Sequence, residues 1–161
     1  METKGKKILV ADDEKDILEI ISYNLINEGY EIYTAKDGND ALTLAKKLHP
    51  DLIILDIMMP YKTGIEVCQV LRSSDEFKDT LIIFLTALSD ETSHVKGLES
   101  GADDYISKPI SPKVLISRVN ALFRRVHKEN GKVISIGNLT IDPAKFVVTV
   151  SGKDIILAKK E

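Results

Sequence analysis

The sequence predicts an α/β fold, with strands and helices alternating over residues 1–125 and a small antiparallel sheet over 133–161. Three observations carry this. Ile8–Ala11, Leu52–Leu55 and Leu81–Leu85 are unbroken apolar runs. They are too short for isolated helices and lack polar alternation, which fits strands covered on both faces. Between them, apolar residues recur at helical spacing. Beyond Arg125, short β-rich runs are separated by turn pairs.

The elements follow in order. Lys7–Ala11 is a strand ending on Asp12-Asp13-Glu14. Ile17, Ile20, Ile21, Asn24 and Leu25 then share helical spacing, with acids at the helix start and Gly29 at its end. Tyr30–Ala35 is a strand, turned by Lys36-Asp37-Gly38. Ala41, Leu44, Ala45 and Leu48 line a helix that His49-Pro50 ends. Leu52–Leu55 leads to Asp56, and Pro60 and Gly64 mark the loop that follows. Ile65–Arg72 is a helix and Leu81–Thr86 a strand. A fourth helix holds Val95 and Leu98, capped by Ser89 or Asp90 and closed by Gly101. Asp104–Ser107 is a short strand. Ser111-Pro112 starts the last helix, lined by Leu115, Val119 and Leu122 and ending near Arg124-Arg125.

Strict alternation implies a parallel sheet with helices on both faces, in the doubly wound order 2-1-3-4-5 of flavodoxin-like sheets. Its direction switches between strands 1 and 3, so Asp12, Asp13 and Asp56 meet at the carboxyl edge. Thr86 and Lys108 close the same edge. Residues 126–132 read as a polar linker. Val133–Ile136, Leu139–Ile141, Phe146–Val150 and Ile155–Leu157 form a meander whose core is too small to stand alone.

Three carboxylates at one edge repel unless a counter-charge holds them. Mg²⁺ suits them, since it takes one or two carboxylates and keeps waters that a phosphate oxygen can replace. A carboxylate beside it can attack phosphorus and form an aspartyl phosphate. Lys108 adds a cation and Thr86 a hydroxyl. Alone, each residue has an ordinary reading: Asp56 as a turn residue, Asp12 and Asp13 as helix caps, Thr86 as a strand residue, Lys108 as loop, Tyr105 as an edge aromatic. Their convergence on one edge favours chemistry.

Composition narrows the classes. The 161 residues, 43% of them hydrophobic, suit one compact domain plus a small second piece. No run approaches the roughly 20 apolar residues of a membrane span, and the N-terminus does not read as a signal peptide. One cysteine, Cys68, excludes an internal disulfide framework and fits a reducing, cytoplasmic setting. Net charge is -3, split as -5 over residues 1–125 and +2 over 126–161, so the main domain is a poor direct binder of nucleic acid. His49, His94 and His127 lack ligand spacing.

On these residues the chain resembles a bacterial response regulator receiver domain. The likeness rests on Lys7–Glu14, Asp56-Ile-Met-Met-Pro60, Thr86-Ala87, Gly101–Tyr105 and Lys108-Pro109. It implies that Asp56 accepts phosphate from the phosphohistidine of a sensor histidine kinase. It also implies that Asp12, Asp13, Asp56 and the Met58 backbone carbonyl hold Mg²⁺, and that Thr86 and Lys108 contact the phosphoryl oxygens. Thr86 and Tyr105 would be switch residues, and Lys108-Pro109 would be cis. Such a protein is a switch, not a turnover enzyme. Aspartyl-phosphate hydrolases of this fold carry an acid where Met58 stands, and flavodoxin-type cofactor binders need a Gly/Ser/Thr loop where Asp12-Asp13-Glu14 stands.

Ile136–Asp142 and Leu157–Glu161 resemble the start of an OmpR/PhoB-type winged-helix effector domain. The resemblance implies that residues 133–161 are the first sheet of a truncated DNA-binding domain, and that DNA is reached only through its missing part. It further implies dimerisation on phosphorylation, through the face of the fourth helix, fifth strand and last helix, with Asp103, Asp104, Arg118 and Arg125 as ion-pairing residues. Two positions depart from the family pattern. Ile110 replaces a common Phe, and Val114 stands where Glu is frequent, which removes one cross-dimer ion pair.

Overall fold

The computed structural model describes residues 5–87, 99–129, 134–136, 139–142, 147–150 and 153–156. Two compact units divide the chain, Met1–Val119 and Asn120–Glu161. In the first, β1 (Lys7–Ala11), β2 (Glu31–Ala35), β3 (Leu52–Asp56), β4 (Leu81–Thr86) and β5 (Asp104–Ser107) form one parallel sheet. The order is β2-β1-β3-β4-β5. The predicted doubly wound topology is therefore correct, with helices on both faces.

Strand β3 is central, and all five of its residues are buried. Alternate residues face opposite layers. Leu9, Ile53, Leu55, Ile82 and Phe84 join one core cluster with Ala41, Ala45, Val67, Cys68 and Leu71. Their neighbours Ile8, Val10, Ile54, Ile83 and Leu85 are equally buried on the other side. This double coverage is why the strands read as continuous apolar runs.

The helices are α1 (Lys15–Asn27), α2 (Gly38–Leu48), α3 (Gly64–Arg72) and α4 (Pro112–Glu129). Helix α1 buries Ile21 and Leu25, while Ile20, counted in its predicted stripe, is 44% exposed. Helix α2 begins at Gly38, the last residue of the predicted turn, because Asp37 caps it by accepting from the Asp40 N–H at 2.8 Å. It ends at His49, which takes a left-handed φ of 49° before Pro50. Helix α3 starts on a full capping box between Thr63 and Glu66. A 3₁₀ turn at Asp75–Phe77, absent from the sequence reading, follows it.

Helix α4 starts at Pro112 as predicted and buries Leu115, Val119 and Leu122. It runs on to Glu129, so residues 126–129, read as linker, are helical. Nothing in Val126-His-Lys-Glu129 breaks a helix, and the first strong breaker is Gly131. The predicted helix around Val95 and Leu98, with its caps Ser89 and Asp90, lies outside the described residues.

In the second unit, β6 (Ile134–Ile136), β7 (Leu139–Asp142), β8 (Val147–Val150) and β9 (Lys153–Ile156) form an antiparallel sheet in chain order. This is the predicted meander.

Candidate phosphoacceptor site

Four of the five parallel strands deliver parts of the site at their carboxyl ends. Asp12 and Asp13 follow β1, β3 ends on Asp56, β4 ends on Thr86, and Lys108 follows β5. Carboxylate oxygens of Asp12, Asp13 and Asp56 all lie within 4.8 Å of one another. Asp12 is fully buried, Asp56 is 6% exposed and Thr86 is 1% exposed, while Asp13 opens to solvent. The Lys108 ammonium lies 3.1 Å from Asp12 Oδ2, 3.5 Å from Asp56 Oδ2 and 3.9 Å from Glu14 Oε1. The five predicted residues thus converge on one edge, and the Lys108–Pro109 bond is cis.

The charges are unevenly satisfied. Asp12 Oδ1 accepts from the Glu14 N–H at 2.9 Å. Its Oδ2 is buried beside the ammonium and receives no well-directed hydrogen bond. Burial drives the Asp56 carboxyl up from 3.8 to about 6, and the charges of Asp12 and Asp13 add to the effect. The Lys108 ammonium and a hydrogen bond from the Met58 backbone N–H oppose it. Burial alone would lower the Lys108 pKa, but close contact with Asp12 and the charges of Asp56, Asp12 and Glu14 raise it. Lys108 is therefore a fixed cation in the working pH range.

A pocket of about 350 Å³ opens over this edge, lined by Asp13, Glu14, Asp56, Met58, Thr86 and Lys108 among others. One lysine faces a cluster of acids, and one buried carboxylate oxygen lacks a directed donor. That donor set fits a hard divalent cation held by oxygen ligands. Asp12, Asp13 and Asp56 could hold it, and Met58 lines the same pocket.

A model of the response regulator receiver domain matches residues 8–120. The chain belongs to that family. The receiver thus identified is also 42% identical, over all 161 residues, to the DNA-binding response regulator MtrA of Mycolicibacterium smegmatis, of which it spans 69%. Among solved structures it resembles the chemotaxis response regulator CheY4 of Vibrio cholerae at TM-score 0.70 and 34% identity, over 74% of this chain and 99% of that one. It also resembles DrrB, a Thermotoga maritima OmpR/PhoB homolog, at TM-score 0.66 and 36% identity, over 96% of this chain and 67% of that one. The receiver is thus a response regulator of two-component signalling, of the MtrA type. No helix among the described residues is long and apolar enough to cross a membrane.

The remaining predicted residues fall elsewhere. Tyr105 is half-buried and borders a smaller cleft of about 230 Å³ with Ser107, Pro109, Val114 and Arg118. Asp104 pairs within the chain with Arg118, at 2.9 Å. Asp103 accepts from the Ile82 N–H at 2.9 Å and pairs with Arg72 at 3.1 Å. Arg125 is exposed on α4. Sequence reasoning placed Glu14 only at a helix start, yet it reaches Lys108. It also missed Arg72, which bonds the carbonyls of Gly101 and Phe77 as well as Asp103. The capping box was readable in the Thr63-x-x-Glu66 spacing. Cys68 is buried and free, its thiol pushed up to about 11 by burial, so it stays protonated and unreactive.

Proposed function

We propose that this receiver is a phosphoryl-accepting switch with Asp56 as the acceptor. The observation that carries the reading is the convergence of Asp12, Asp13, Asp56, Thr86 and Lys108 on one sheet edge, where all but the buried Asp12 line one pocket. A carboxylate oxygen of Asp56 forms the new bond to phosphorus. The bond from phosphorus to the donor breaks, and the leaving group, a histidine nitrogen or an acetate oxygen, departs with the electron pair. Lys108 carries positive charge to the phosphoryl oxygens, and the Thr86 hydroxyl donates to one of them. Bound Mg²⁺ supplies the charge neutralisation that lets the acids and the phosphoryl group share the pocket.

The donor partner is a sensor histidine kinase. The output is dimerisation through a face that includes β5 and α4, and then transcription control. MtrA is named as DNA-binding, and we extend that role to this protein, with the β6–β9 sheet as part of the effector. The aspartyl-phosphate hydrolase reading is weaker because Met58 is apolar and 74% exposed at the position where such enzymes place an acid.

The test is intact-mass measurement after incubation with Mg²⁺ and acetyl phosphate. One phosphoryl group per chain is expected, and none on Asp56→Asn. Uptake by that variant, or sustained turnover of a phosphate ester by the parent, would sink the reading.

A further inference from the structure

The loop between β3 and α3 carries Met58, which lines the cation pocket together with Asp56. Two glycines pack against this loop. Gly64 is the first residue of α3: a Cβ there would collide with the Asp56 carbonyl oxygen and lie 3.1 Å from Ile57 Cα. Gly38 comes from another element, the first residue of α2. A Cβ on it would collide with the Lys62 carbonyl oxygen and sit 2.6 Å from Lys62 Cβ. The Gly38 N–H also points to the Pro60 carbonyl at 3.4 Å, which accepts from the Lys62 N–H at 2.9 Å.

A side chain at position 38 must move either α2 or the loop. Helix α2 is fixed by the Asp37 cap and by Ala41, Leu42 and Ala45 in the core. The loop is the softer partner: Met58 is 74% and Tyr61 80% exposed, and Tyr61 takes a left-handed φ of 68°. Displacement would therefore fall on the loop and travel to Met58.

We infer that Gly38 is a positioning residue for the cation pocket: its missing side chain lets α2 seat the loop so that the Met58 backbone stays against Asp56. The inference rests on the proposed role of that pocket and adds a determinant outside it. Backbone supports of a metal site act in the same way as other outer-shell partners, whose loss costs about tenfold or more in affinity.

The experiment titrates MgCl₂ into metal-free parent and Gly38→Ala proteins, followed by amide NMR. Gly38→Ala should shift the Met58 and Asp56 amides before any Mg²⁺ is added, and should weaken Mg²⁺ binding about tenfold. Phosphoryl uptake from acetyl phosphate should fall at low Mg²⁺ and recover at saturation, so that the loss sits in the Mg²⁺ requirement and not in the maximal rate. Ala45→Gly, which destabilises α2 away from the loop, should lower the urea midpoint and leave Mg²⁺ affinity unchanged. Affinity of Gly38→Ala within twofold of the parent, or an equal loss in Ala45→Gly, would overturn the inference. If Gly38→Ala does not fold, Lys62→Gly loosens the same contact from the loop side and must itself weaken Mg²⁺ binding; unchanged affinity there overturns the inference as well. A parent protein that binds no Mg²⁺ would instead overturn the reading of the pocket, and this inference with it.

Discussion

Asp56 is held in a state that opposes its own ionisation. Its carboxyl titrates near 6 in the folded protein against an ordinary value of 3.8. Between those values the native state binds more protons than the unfolded chain, so stability falls as pH rises through that window. At neutral pH the ionised side chain therefore costs stability, up to about 3 kcal/mol for a shift of this size. Asp56→Asn removes the charge and keeps the shape. In metal-free buffer at pH 7 it should be more stable than the parent by about 1–3 kcal/mol in urea denaturation, with the gap closing below pH 4. Saturating Mg²⁺ should stabilise the parent and narrow the difference, because a ligand bound only by the folded state adds to its stability. A variant no more stable than the parent at pH 7 would contradict the account of the site. Asp12, Asp13, Asp56, Thr86 and Lys108 were legible in the sequence because each ends or follows a strand, and the carboxyl ends of strands share one edge in a parallel sheet. The ion-pair partners of Asp103 and Asp104 were not. Arg72 lies 31 residues before Asp103, and Arg118 lies 14 after Asp104. Chain spacing does not reveal which cation folds back onto which acid.

The elements are held in place by a few polar staples as well as by the core. Arg72, at the end of α3, is the clearest. Its guanidinium donates to the carbonyls of Gly101 at 2.9 Å and Phe77 at 2.8 Å, and to Asp103 at 3.1 Å. Asp103 in turn accepts from the Ile82 N–H at the start of β4. One side chain thus ties α3 to the 3₁₀ turn and to the entry of β5. Removing it leaves carbonyls and a carboxylate short of donors, which costs more than the bonds themselves are worth. Arg72→Met should lower stability by about 2–3 kcal/mol by urea titration, with Arg72→Lys recovering little because an ammonium cannot serve three directions in a plane. A loss below about 0.5 kcal/mol would show the staple to be ornamental. The strands and the start of α4 were readable because period and capping chemistry agree there. The end of α4 was misread because a polar stretch was taken for a linker, and polarity alone does not stop a helix. The start of α2 was misread for the opposite reason. Gly38 looks like a turn residue, but its role is close packing against another loop, which no local pattern records.

At the scale of the whole molecule, the sheet order followed from alternation and the right-handed crossover rule, and the acidic edge followed from the order. Propagation of phosphorylation from that edge does not follow from the order. For the proposed switch a route runs along β5: Lys108 beyond its end contacts Asp56, Tyr105 on the strand borders the cleft with Arg118, and Asp104 pairs with that arginine. In the unphosphorylated chain Asp104 and Arg118 satisfy each other. A dimer face built from them must exchange this pair for pairs across the interface, a near-neutral trade for partly exposed groups that leaves the decision to small shifts in the site. A beryllofluoride–Mg²⁺ phosphate mimic should therefore raise the apparent mass in sedimentation at low salt, and less so at high salt, where exposed charges are screened. Arg118→Glu sets a carboxylate beside Asp104 and should keep the protein monomeric with the mimic bound, while Asp56 still takes up phosphate. Equal mass with and without the mimic would place the output of the switch on another face. Loss of phosphate uptake in Arg118→Glu would mean that this pair serves the acceptor site itself and not the contact between copies.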